Sequence, residues 1–409
     1  MELTPVDSSP SRPITRVAMT AATLDRLIRK AWQGLRGPCW LWTEFVTMFS
    51  ASAIAWSAGH LFLLPLCLLL PFALGLASTR RQSLLIAVGY FAGALWPMIP
   101  GASVFFGNRL DPVRIALLYA TWVLLLASPF YWVGHLTREY RWRIVATIIS
   151  LEAFMPIGLA SPFVAAGALF PGLGWIGLLL LMITCVQLVR RSSAGILCLL
   201  VVCAFAWIFF NPGRTGVSQW EAFDTQFGGS GFQVASVWED YSKLRTMAEK
   251  AQSGRIAIFP ENTIHLWVPE VSDPWFSLLL PPKAIVIFGA ERRLPHQQRQ
   301  SVVLVRGALQ AEYQERFPVP LAMWGNDTPM HYFGSGSVQV GSARAGMLLC
   351  YEQLLPVAAL QTFAEKPDVL VAPANLYWAK RTTIDSTESL CVRAWAQLFA
   401  IPYYRAVNE

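Results

Sequence analysis

Long apolar runs fill the first half of the chain, and short apolar runs with polar ends fill the second. A helix needs about 20 apolar residues to cross a bilayer. Seven runs approach that length, at roughly 39–57, 60–78, 83–100, 114–134, 144–161, 172–189 and 193–211. The first two are separated by only a few residues and read as a tight hairpin. The fifth, IVATIISLEAFMPIGLAS, carries Glu152 and Pro156 in its interior. Acids in such runs either mark function or pair within a bundle. Glu44 is expected at the membrane interface, whereas for Glu152 both readings stand.

After residue 212 the pattern changes. RIAIFPENT (255–263), AGMLLCYE (345–352) and DVLVAPANLYW (368–378) are apolar strands that stop at polar residues. KAIVIFGAE (283–291), QSVVLVRGAL (300–309) and IPYYRAVN (401–408) read as further strands, and 383–399 reads as a helix. Strands alternating with helices predict layered α/β packing. In such sheets chemistry gathers where strands end, and Glu261, Cys350 and Asn375 each lie at a strand end.

Composition divides the chain the same way. Of its 409 residues 55% are hydrophobic and 14% charged, against about 25% charged in a soluble domain. Charges are sparse from about 38 to 211 and ordinary afterwards. The expected organisation is an N-terminal tail (1–37), a transmembrane helical bundle (38–211) and a soluble domain (212–409). Positive charge fixes the orientation. With the tail inside, the inner segments hold Arg12, Arg16, Arg26, Arg29, Lys30 and Arg36, then Arg80 and Arg81, then Arg138, Arg141 and Arg143, then Arg190 and Arg191. The outer loops before residue 212 hold only Arg109 and Arg114. Seven crossings would then place the tail in the cytoplasm and the soluble domain on the far side of a bacterial inner membrane, in the periplasm.

The net charge of +7 follows from these topological residues. No basic cluster with interleaved aromatics is present, so direct nucleic-acid binding is not expected. Cys39, Cys67, Cys185, Cys198 and Cys203 lie in or beside apolar runs, no CxxC spacing occurs, and the five histidines are scattered. Neither a metal site nor a cofactor is expected. Cys391, in ESLCVRAWAQ, reads as a core residue.

The order FPENT, CYE, APANLYW and VRAWAQLFAIPYYRAVN resembles the nitrilase (carbon–nitrogen hydrolase) superfamily. With several spans ahead of the domain, it is most similar to the membrane branch, which holds apolipoprotein N-acyltransferase and the TraB-type conjugal transfer proteins. The resemblance implies an αββα sandwich with a Glu–Lys–Cys triad. Glu261 matches the general base, Cys350 the nucleophile and Glu352 a second, supporting acid. Asn375 and Trp378 are candidate substrate-binding residues. A free thiol near pKa ~8.5 is mostly protonated at neutral pH, and an adjacent carboxylate can accept its proton during acyl transfer.

Two departures stand out. The family's lysine should fall in EYQERFPVPLAMW (312–324), which has none. Depending on register the place is held by Glu315, which as a carboxylate would repel an oxyanion, or by Arg316, a poor stand-in whose guanidinium is planar and permanently charged. The only lysine between Glu261 and Cys350 is Lys283, on a different element. The chain also stops at RAVNE, so the sandwich reads as truncated at its C-terminal end. Both departures favour the TraB type. Three function classes follow. One is a membrane-bound thiol acyltransferase or amidase acting on a membrane lipid or lipoprotein, as apolipoprotein N-acyltransferase does. The second is an envelope scaffold within the conjugation machinery, with little or no turnover. The third is a transporter with a soluble cap.

Overall fold

A computed structural model describes residues 40–107, 110–210, 219–227, 235–294, 299–320, 323, 328–379 and 382–409. The tail and its basic residues lie outside the described residues.

Proline and glycine decide how the apolar runs fold. The first run forms α1 (Trp40–Ser57). The second is a 3-10 segment, Leu61–Leu68, with Pro65 inside it, continuing as α2 (Leu69–Leu76). The third splits at Pro97 into α3 (Arg80–Leu95) and α4 (Met98–Phe106), bent by 50°. The fourth, α5 (Pro112–Ala127), continues as a 3-10 segment to His135. The fifth stops early: α6 (Arg138–Phe154) ends because Met155 precedes Pro156 and is extended. A short α7 (Ala165–Leu169) meets α8 (Gly174–Arg190) at 117° across Pro171 and Gly172, and α9 (Ser193–Phe209) follows.

These breaks overturn the expected seven-span bundle. Among the described residues one stretch, Pro112–His135, is long and apolar enough to cross a membrane, or three if each bent pair counts as one span. Apolar length alone was the basis of the larger count, and it ignores the interruptions. Glu44 is buried among the helices and accepts a hydrogen bond from Gln82 Nε2 at 2.5 Å.

The second half has two mixed sheets, and the nitrilase-type sandwich expected from the motifs gives way to this arrangement. The first runs β1 (Trp220–Ala222), β2 (Ile256–Ile258), β3 (Ile285–Arg293), β4 (Arg299–Gly307) and β5 (Ala311–Gln314), in that spatial order. β1 to β3 are parallel, and β3 to β5 are antiparallel. The second runs β6 (Ser337–Val340), β7 (Ala343–Met347), β8 (Val369–Asn375) and β9 (Tyr403–Asn408). Here β6 and β7 are antiparallel and the rest parallel.

Strand alternation sorts the side chains. Ile258, Ile287, Val303 and Val305 of the first sheet share a core with Ala345, Met347, Leu349 and Val371 of the second. The opposite faces are apolar too, so the strands read as continuous runs. Phe259, Val286, Phe288 and Leu304 pack under α10 (Ala235–Lys250) and α11 (Pro269–Leu279). Leu348, Leu370 and Ala372 pack under α12 (Pro356–Ala364) and α13 (Ile384–Phe399).

That last core does not stop at the sheet. It runs on through α13 into the helices of the first half, so Trp395 and Leu398 share one cluster with Phe91, Phe163 and Leu181. Backbone contacts reinforce the seam. Thr387 Oγ1 donates to Trp56 O at 3.1 Å, Gly172 N–H to Gln397 O at 2.9 Å, and Arg393 to Gly59 O. The tightest approach is at Gly167 of α7, where a Cβ would lie 1.9 Å from Ala394 O. A Gly167→Leu chain should therefore lose the seam at a cost of about 1–3 kcal/mol. Thermal unfolding of the purified protein should show a lower midpoint, and an unchanged midpoint would contradict this packing.

Candidate active site

Two strand ends and one turn build the site. β2 ends at Ile258, and the residues after Pro260 curl over the end of the first sheet. Thr263 Oγ1 closes the turn on Pro260 O at 2.7 Å, and Asn262 sits at φ +48°. The turn can lie so low because its neighbour on β3 is Gly289, where a Cβ would come within 2.4 Å of Glu261 Cα. Gly289 N–H donates to Pro260 O at 2.9 Å. The Glu261 side chain is thereby aimed across the gap between the sheets.

From the other side, β7 runs out through Leu348 and Leu349 into a single 3-10 turn, Cys350–Leu354. Cys350 has φ +42°, in the left-handed region that L residues avoid. Such backbone persists only when its surroundings over-determine it, and here Glu352 does so. One of its oxygens accepts Leu349 N–H at 3.0 Å and the Tyr313 hydroxyl at 2.5 Å. The other accepts Arg316 N–H at 2.7 Å and Phe317 N–H at 3.3 Å. Gln353 Nε2 ties the same turn to Leu348 O and Pro373 O.

The Cys350 thiol and the Glu261 carboxyl line the same cavity, close enough for each to act on the other's ionisation. The Asn375 N–H, at the end of β8, donates to Glu261 Oε2 at 3.2 Å and also reaches the sulfur. Burial pushes the Glu261 carboxyl up to about 7, opposed by its bonds to Cys350 and Asn375. Burial, with the Glu261 charge next to it, pushes the thiol well above its ordinary value. The resting pair is thus a neutral thiol beside a carboxyl that ionises near neutrality, the range suited to a general base.

Arg316 is not at this centre. Its side chain is fully buried and points to the helix-covered face of the second sheet. Nε donates to the Tyr313 hydroxyl at 2.9 Å, and the terminal nitrogens donate to Gln361, Ala358 O and Thr362. It braces Glu352, with Nε 3.7 Å from Oε1, and cannot replace a lysine at the sulfur. Lys283 lies just before β3, beside Gly254, at the opposite end of the strands from Glu261.

A cavity of about 410 Å³ opens at the cysteine. One wall is apolar and comes largely from the first half, with Met98, Phe105, Phe106, Leu118 and Trp122. Asn375 and Trp378 line it as well. The Asn375 side chain itself is held by Asn408 Nδ2 at 2.8 Å, and the Trp378 ring stands edge-on to Phe105 at 5.2 Å. Sequence reasoning missed the polar wall, formed by His265, Glu291, Arg299 and Ser301. His265 Nδ1 is fixed by Asp240 at 2.8 Å, and Arg299 pairs with Glu291. It also missed Glu388, which burial pushes up to about 8 against the pull of Arg405. His265 in PENTIHLW and Glu291 at the end of KAIVIFGAE were the available signals for this wall.

No family model matches the chain. The chain resembles TraB proteins along nearly its whole length. It is 29% identical over 372 residues to the probable conjugal transfer protein TraB of Sinorhizobium fredii, an alignment covering 87% of this chain and 95% of that protein. It is 26% identical over 428 residues to the conjugal transfer protein TraB of Agrobacterium fabrum, covering 95% and 99%. Both alignments take in the helices as well as the sheets.

The raised Glu261 has two consequences with opposite signs. Alkylation of Cys350 by iodoacetamide, followed by peptide mass spectrometry, should accelerate as pH rises through about 7, because the base form appears there. Folded stability should fall over the interval from the ordinary carboxylate range up to that pH, because the native state holds the proton more tightly than the unfolded chain. Glu261→Gln should remove the step in rate and flatten that part of the stability profile. A step that survives the substitution would assign the base elsewhere.

Proposed function

We propose that the chain is a TraB-like conjugal transfer protein of the bacterial inner membrane, whose Cys350 carries an acyl group as a thioester. The observation that carries this reading is the Glu261–Cys350 pair at the head of a cavity walled by apolar side chains of the first half. The similarity to TraB proteins supports the conjugation role. The membrane assignment is supported by the large apolar side chains exposed on the helices, among them Trp42, Phe62, Leu117, Leu197, Ile208 and Phe209. The count lies between one and three crossings, and the orientation proposed here takes an odd one. The tail would stay cytoplasmic and the sheets would stand on the periplasmic face.

The reaction has two halves. The thiol proton passes to Glu261 while the sulfur attacks the acyl carbonyl, forming a C–S bond. The adduct collapses, the bond to the leaving group breaks, and that group takes the proton from Glu261. Water or an amine then attacks the thioester. Glu261 takes its proton and returns it to the departing sulfur. The apolar wall suits the acyl chain of a membrane lipid or lipoprotein, and the polar wall suits the group to which that chain is attached.

One observation favours a second reading, an envelope scaffold without turnover: Arg316, in the segment where the lysine is expected, has its guanidinium engaged away from the sulfur. Plasmid transfer frequency separates the two. A donor strain lacking the gene and supplied with Cys350→Ser at the wild-type protein level should transfer no better than the deletion. Transfer at the wild-type frequency would establish the scaffold.

A further inference from the structure

The gap between the sheets ends in a corner whose charge is unbalanced. β4 and β5 pair with Val303 opposite Tyr313, so the next pair on that face is Ser301 and Glu315. Glu315 N–H donates to Ser301 O at 3.0 Å, and Ser301 lines the cavity. Two positions back on the same face, Tyr313 reaches the cysteine's own turn through Glu352. Glu315 therefore stands on the inner face of the first sheet, close enough to Glu261 and Glu352 for their charges to act on it. It is 2% exposed, and Oε2 has no hydrogen-bond partner among the described residues.

Three buried carboxyls act on one another here, Glu261, Glu315 and Glu352, and a fourth, Glu388, lies nearby in an ion pair with Arg405. Arg316 pairs with Glu352, whose oxygens serve only as acceptors. No arginine or lysine forms an ion pair with Glu261 or Glu315 among the described residues. Two buried carboxyls that share a corner without a cation do not both ionise. Burial and the charges of Glu261 and Glu352 push Glu315 well above the carboxylate range. Its second oxygen is thus the one that can carry a proton with nowhere yet to donate it.

Attack by the Cys350 sulfur puts negative charge on the acyl oxygen, and that charge needs a donor. Arg316 is committed elsewhere. We propose that Glu315 is this donor, a neutral carboxylic acid whose O–H hydrogen-bonds the oxygen of the acyl group attached at Cys350. No proton is transferred from it: the C–S bond forms, the carbonyl π pair moves onto oxygen, the thiol proton goes to Glu261, and Glu315 keeps its own. A carboxylate here would repel that oxygen, and the neutral acid attracts it. The assignment rests on the thioester reading above.

The test uses the full chain in detergent, with p-nitrophenyl decanoate as acyl donor and two readouts. The first is the infrared difference between wild type and Glu315→Gln at neutral pH, which should show a protonated-carboxyl C=O band lost on substitution. The second is the rate of acylation of the Cys350 peptide by mass spectrometry. Glu315→Gln, which keeps an N–H donor, should stay within a few-fold of wild type. Glu315→Leu, which keeps the bulk without the donor, should be slower by about 10²-fold at an unchanged unfolding midpoint. An absent band, or a leucine variant as fast as wild type, overturns the role of Glu315 and leaves the thioester standing. A wild-type chain that never acylates Cys350 overturns the thioester, and the role with it.

Discussion

The buried Glu352 carboxylate holds this molecule's chemistry in place. It accepts from a tyrosine on one sheet, from the backbone ahead of the cysteine on the other, and from two consecutive N–H groups of the connecting loop. Charge-assisted bonds of this kind are about twice as strong as neutral ones, and in a dry interior each has no competing water. Together they fix the separation of the two sheets at one end and keep Cys350 at its left-handed φ. Arg316 compensates the charge from behind. Without that brace the sulfur would have no reason to face Glu261.

The same turn is tied to the first half of the chain. Tyr351, next to the cysteine, donates to Pro156 O at 3.2 Å, and Tyr332 donates to Phe154 O at 2.8 Å. Both acceptors lie where α6 is cut short. A proline that cuts the helix short thus leaves carbonyls free at a helix end, and the site uses them. The cavity inherits its shape from this docking, because Phe105 and Trp378 meet edge to face across the seam.

Much of the site was legible because strands advertise their ends. PENT, CYE and APAN each break an apolar run at a polar residue, and the folded chain gathers Glu261, Cys350 and Asn375 around one sulfur. What could not be read was direction. Arg316 follows β5 and its sequence position allows either face, but five donors in a flat fork find a ring of carbonyl and hydroxyl partners behind the sheet rather than the cavity. Glu315 looks like an error next to an acyl oxygen until its burial is known. Gly289 looks like any strand glycine, and only its contact with Glu261 Cα gives it a role. The helical half was misread for a related reason. Hydropathy reports how apolar a run is, whereas Pro97, Pro156 and the Pro171–Gly172 pair decide whether it continues as one rod.

The central claim is that this sulfur carries an acyl group. Peptide mapping of the full-length protein, isolated without reducing agent from cells actively transferring plasmid, addresses it most directly. The account predicts a fatty-acyl mass on the peptide containing Cys350, removed by neutral hydroxylamine and absent from the Glu261→Gln protein. A peptide recovered only as the free thiol, in wild type and variant alike, would contradict it.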